Sequence, residues 1–159
     1  MYRVLLASIL ALMMTCFASA AHAERQGDSL PVCVVRAQPG MSPDRLFAGG
    51  TPFDCVSSQG ALPAGDYWAI SPLVRRTGPL AIQVASLWQQ RITFYALYAD
   101  GKVVSSSLDQ YGAARHLQLG AIIEQPLPQR SAPLIRVLWH VEGSGNLRGI
   151  LRGAQIITP

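Results

Sequence analysis

Histidine is scarce in this chain. His22 lies in the leading segment, and only His116 and His140 follow it. Neither belongs to an H-E-x-x-H pair, which excludes the helical zinc site of that motif. No Gly-rich loop ends in a Lys-Ser/Thr pair, so a P-loop phosphate cradle is excluded as well. No serine occupies a G-x-S-x-G elbow, and the scattered Ser, His and Asp residues have no spacing that assembles a triad. The acids are equally dispersed. Nothing in the positions of Asp66, Asp100, Glu124 and Glu142 brings two carboxylates together for glycoside hydrolysis. A C-x-x-C redox spacing is absent. These absences point away from an enzyme and away from any cofactor.

Long apolar runs are missing too, except at the start. Arg3 precedes a stretch without charge, Val4–Ala21, and Ala21-His22-Ala23 then forms a small-x-small pattern before Glu24. That is the layout of a secretory signal peptide, residues 1–23. An uncleaved membrane anchor is the competing reading, because the run is near the lower limit for spanning. Cys16 lies inside this run, with no lipoprotein box before it. Cleavage leaves 159 − 23 = 136 residues, one domain's worth (24–159), able to bury a core without metal. The remaining charge is 12 − 9 = +3 and is spread along the chain. Nucleic-acid binders carry a clustered basic face, so nucleic acid is not an expected partner.

Two cysteines, Cys33 and Cys55, remain after cleavage. An oxidising compartment favours a disulfide between them. It would close a loop of about 20 residues and stabilise by roughly 3 kcal/mol on the chain-entropy account. A metal pair is the alternative, but no histidine lies near either cysteine.

What the chain does have is strand signals. Asp66–Leu73, Leu80–Leu87 and Arg91–Tyr98 are short and rich in Ile, Val, Trp and Tyr, with turn residues between them. Asp100-Gly101 is a strong hairpin signal, and Lys102–Ser107 should pair back across it. Before this block, Pro31–Ala37 reads as a strand. Ser42-Pro43-Asp44 reads as a helix start that Gly49-Gly50 soon stops. After it, Asp109–Gly112 reads as a turn, Ala114–Ile123 as a partly alternating strand and Pro126–Pro133 as a connector. Leu134–Val141 is a strand with Ile135, Val137, Trp139 and Val141 on one face. Leu134, Arg136, Leu138 and His140 take the other. Gly143, Gly145 and Gly149 spell a glycine-rich run after an apolar strand, but no helix follows to make it a nucleotide loop. It reads as a turn before a last strand, Leu147–Ile157. About eight strands without a long helical pattern predict an all-β Greek-key or jelly-roll β-sandwich.

The order Tyr67-Trp68, LAIQVASL, RITFYALYADG, Tyr111-Gly112 and LIRVLWHV resembles a known arrangement. It is similar to the periplasmic jelly-roll sensor domain of bacterial seven-transmembrane receptors with diverse intracellular signalling modules. More narrowly, it resembles the N-terminal part of membrane-bound diguanylate cyclases of the GGDEF type, where a cysteine-containing lead precedes a segment like Gly65-Asp66-Tyr67-Trp68. The likeness covers roughly 32–158 and rests on diffuse strand and aromatic patterns. It implies a periplasmic domain that binds a carbohydrate-like ligand and passes a signal to membrane helices of a parent receptor. This sequence holds no GGDEF motif, so cyclase activity would belong to a part beyond residue 159.

Sandwich sites of that kind stack ligand faces on aromatics and orient them with polar side chains. Trp139 shares its face with Ile135 and Val137 and reads as core; Trp68 reads as core or rim. Trp88, beside Gln89-Gln90, is the better exposed aromatic. Arg136 and His140 share a strand face, and Arg148 and Arg152 share another with Ile150. Should the last two strands pair antiparallel, these four would form a basic patch for an acidic sugar or phosphate. A solvated sheet face explains the same pattern. Two functions therefore stay open: the ligand-sensing domain of a receptor, or a free periplasmic or secreted sandwich that binds a glycan or protein. A periplasmic enzyme is a weaker third.

Overall fold

The computed structural model describes residues 28–57, 62–85, 89–118, 120–145, 147 and 153–159. Side chains are described from residue 30 onward. The expected leader, residues 1–23, lies outside them.

Strand-forming residues dominate and helices are short. In chain order the elements are β1 (Asp28–Ser29), β2 (Cys33–Arg36), α1 (Pro43–Ala48), β3 (Gly65–Ile70), β4 (Ala81–Ala85), β5 (Arg91–Tyr98) and β6 (Val103–Asp109). Then come α2 (Gln110–Arg115), β7 (Leu117–Gln118), β8 (Ile122–Pro126), β9 (Leu134–Ser144) and β10 (Gln155–Ile157). They form two five-stranded sheets. Sheet A has the order β1-β10-β4-β8-β7, and sheet B has β2-β3-β9-β5-β6. Every pairing is antiparallel. The fold is an all-β sandwich, as the sequence predicts.

Alternation decides which side chains lie between the sheets. β5 buries Ile92, Phe94, Ala96 and Tyr98, and β9 buries Val137, Trp139 and Val141. Sheet A contributes Ile82, Val84, Ile123 and Ile156 to the same core. Trp139 is fully buried there, tilted against Phe94 with ring centroids 6.4 Å apart.

A second, smaller core lies on the outer face of sheet B. Leu46 of α1 packs with Trp68, Ile70 and Leu138, and Cys33, Val35, Phe47, Phe53 and Tyr95 pack around them. Ser42 and Pro43 begin α1 as the sequence indicates, and Gly49 ends it at φ +89°. The Cys33–Cys55 disulfide fixes this cover, with Cα atoms 4.2 Å apart. Beside it, Val34 and Asp54 form an antiparallel bridge through two backbone hydrogen bonds of 2.9 and 2.7 Å. The lead is therefore laced to the edge of β2 by one covalent and two hydrogen bonds.

Several local expectations are corrected. The expected turn at Asp109–Gly112 is a helix start. Asp109 ends β6 and caps α2, its carboxylate accepting from the Gly112 N–H at 2.6 Å. The expected strand Ala114–Ile123 is divided into the end of α2, β7, a turn containing Gly120 and Ala121 at positive φ, and the start of β8. Leu134 is 1% exposed and joins the inner core rather than the face of Arg136. A register shift between Leu97 and Tyr98 accounts for this, because it offsets the alternation at the start of β9. The last strand is described only over Gln155–Ile157, and it pairs with β1 and β4. β10, the described part of the last strand, lies in sheet A and β9 in sheet B; the expected four-residue basic patch needs Arg148 and Arg152, which lie outside the described residues.

Candidate functional site

Arg136 and His140 emerge together on the outer face of sheet B. Both are partly exposed and stand four residues apart on β9, about 13 Å at the rise of a strand. The registers set one row of side chains across this face: Val35, Trp68, His140, Thr93 and Ser107. The next row is Cys33, Ile70, Leu138, Tyr95 and Ser105, and Arg136 stands opposite Leu97 in the row beyond. The half toward β2 lies under the α1 cover. Toward β6 the face carries Thr93, Ser105 and Ser107, the two serines exposed.

The aromatic groups form a shelf where these halves meet. The His140 ring stacks on Trp68, with centroids 4.2 Å apart and planes 13° from parallel. Tyr95 tilts against Trp68 at 5.7 Å. Burial pushes the His140 imidazole below its ordinary value, and Glu142 and Asp66 pull it back in part. Burial also raises the Tyr95 hydroxyl, with a further push from Glu142. Glu142 is engaged by Arg91 at 3.8 Å, and Asp66 accepts from the Gly143 N–H at 2.7 Å. Among the described residues, Arg136 has no such carboxylate. Its Nε is buried without a hydrogen-bond partner, as is Nε2 of His140.

Trp68 is 5% exposed, so its indole is a wall of the satellite core rather than a free stacking surface. Trp139 is core, as its face predicts. Trp88, Arg148 and Arg152 lie outside the described residues. Of the expected ligand-binding set, Arg136 and His140 lie on one sheet face two rows apart, with Tyr95 in the row between them. The linear sequence does not by itself connect Tyr95 with them. The period-2 pattern of RITFYALY carries the signal, because it sets Tyr95 on the face opposite Phe94.

A second concavity adjoins the disulfide. A cleft of about 350 Å³ opens between β2 and the following loop, lined by Val34, Arg36, Pro52, Asp54, Leu62 and Tyr67. The Asp54 carboxylate already accepts from the Val56 and Ser57 N–H groups at 3.0 and 2.9 Å. Hydrogen bonds from Ser57 and Val56 hold it below the usual carboxylate range. Nothing in the linear spacing marks this cleft. It forms because the disulfide folds Asp54 back onto Val34.

The described residues hold no group of three or more His, Cys, Asp or Glu that could bind a metal ion. Among them, no helix is long and apolar enough to cross a membrane. No protein-family model and no curated protein sequence matches the chain.

Proposed function

We propose that this chain is a ligand-binding sensor domain, exported to the periplasmic side and working without catalysis. In this reading it is the jelly-roll sensory piece of a membrane signalling receptor of the diguanylate-cyclase-associated kind, and its ligand is a carbohydrate-like or anionic small molecule. The observation that carries the reading is Arg136. Among the described residues its guanidinium has no carboxylate partner, its Nε is buried and unsatisfied, and it shares a sheet face with Tyr95 and His140. A planar guanidinium in that state suits a carboxylate or phosphate, which two parallel N–H groups can grip. The neighbouring aromatic edge offers apolar area to a sugar ring.

The test is calorimetric titration with a panel of uronic acids, neutral sugars and sugar phosphates. An acidic member should bind, and Arg136→Ala should weaken it at least tenfold, about 1.4 kcal/mol. Arg136→Lys should recover only part, because an ammonium cannot make the paired contact. Binding that is indifferent to Arg136 would reject the site. The receptor assignment has its own test: the coding sequence beyond Pro159 should continue into apolar membrane-spanning segments. A free glycan- or protein-binding sandwich is the second reading. It would share the site but carry its function in solution, with no membrane helices following.

A further inference from the structure

Sheet edges expose unpaired backbone groups, and proteins blunt them with short strands, prolines, bulges, charges or covers. Three of the four edges here are managed. β1 and β7 are each two residues long. β2 is capped by the Asp54 bridge and the disulfide. The fourth edge, β6, is different. It runs seven residues, VVSSSLD, with no proline, and its pairing to β5 has no register shift. Its first charge within the strand is Asp109, at the end.

Two bonds fix which groups are free. Tyr98 N–H donates to the Lys102 carbonyl, and Gln110 N–H donates to the Gln90 carbonyl. Residues 102, 104, 106, 108 and 110 therefore bond to β5, and Val103, Ser105 and Ser107 direct their N–H and C=O away from it. Those groups have no backbone partner among the described residues. Ser105 and Ser107 are exposed and small, so another strand can approach closely.

The same flank also shows apolar side chains. α2 links β6 at the end of sheet B to β7 at the end of sheet A. On it Tyr111 is 75% exposed, and on β7 Leu117 is 41% exposed. These are two of the four exposed large hydrophobics among the described residues.

We propose that the β6–α2–β7 flank is the contact for a second copy of this chain, with β6 pairing antiparallel to its counterpart and sheet B continuing across the interface. Self-complementarity favours this occupant. The strand is uncharged from Val103 to Leu108, with Lys102 before it and Asp109 at its end. A two-fold axis near its middle opposes serine to serine. It also brings the Lys102 end of each copy to the Asp109 end of the other, so no like charges meet. Tyr111 and Leu117 then gain cover beside the joined strands.

The test is sedimentation of the chain in the form an exporting host delivers, at concentrations up to about 100 µM. A twofold mass is expected, falling to onefold in Ser105→Lys, which places a charge beside its own copy, and in Ser105→Pro, which removes one outward N–H without breaking the β5 ladder. Circular dichroism checks that each variant keeps its strands. Independently of any variant, exchange of the Ser105 and Ser107 amides should slow as concentration rises. A monomer throughout this range would overturn the proposal. So would a dimer that both folded variants preserve, concentration-independent exchange at these amides, or a monomer that instead takes up an extended peptide along β6.

Discussion

At the scale of single residues, His140 links the aromatic shelf to pH. Its ring is stacked on Trp68 and its Nε2 is buried without a partner, so the neutral form is favoured in the native state. The unfolded chain takes up this proton near 6.5, and the native chain only at lower pH. Between those values the unfolded state holds more protons, so stability falls as pH drops through about 6.5 and the loss levels off below the native value. Melting temperatures measured from pH 8 to pH 4 should decline across this window. His140→Phe keeps a ring against Trp68 and should flatten that part of the curve; an unchanged slope would show that another group sets it. Gly143 makes a different case. It sits at φ +62°, and a Cβ there would lie 2.6 Å from Cγ of Gln90. The Gln90 side chain must shift to admit it, and the left-handed backbone adds its own cost, so Gly143→Ala should destabilise by about 1–2 kcal/mol or more in a denaturant titration. The glycine was legible as a turn residue, but Gln90 as its neighbour was not, because that contact is set by the pairing of β5 with β9.

At the scale of elements, α1 matters through one side chain. A helix of six residues is marginal alone, and Leu46 attaches it by inserting into the Trp68–Ile70–Leu138 cluster. Leu46→Ala should cost about 2–4 kcal/mol for that subregion. The check is increased amide exchange through α1 and β2, with little change in β5. The disulfide acts on the same element. Cys33→Ser with Cys55→Ser should lower stability by roughly 3 kcal/mol on the chain-entropy account, read from chemical denaturation. α1 was readable because Ser42, Pro43 and Gly49 punctuate it locally. α2 was not: its start depends on Asp109 capping the Gly112 N–H, in a stretch whose Gly and Tyr look equally like a turn.

At the scale of the whole molecule, sheet B serves two cores. Trp139, Phe94 and Ile92 face sheet A, while Trp68, Leu138 and Tyr95 face the disulfide-tied lead. The two should be separable. Under a thiol reductant, protection should fall in β2 and the 37–57 segment while amides of β4, β5 and β9 stay protected; a single cooperative loss of all of them would show that the cores fold as one. The composition, the alternation of LIRVLWHV and RITFYALY and the Asp100-Gly101 turn already determined an all-β sandwich. They also determined that Trp139 is inside, and the cysteine pair pointed to the Cys33–Cys55 bond. These features are local, because a strand's period fixes its two faces wherever it pairs. Tertiary structure decided which strand joins which sheet. It placed β10 beside β1 and β4, in the other sheet from β9, and it set Tyr95 in the row between those of Arg136 and His140. Partner choice depends on the connections between strands and on how their buried faces fill one shared core, and a strand's own sequence carries neither.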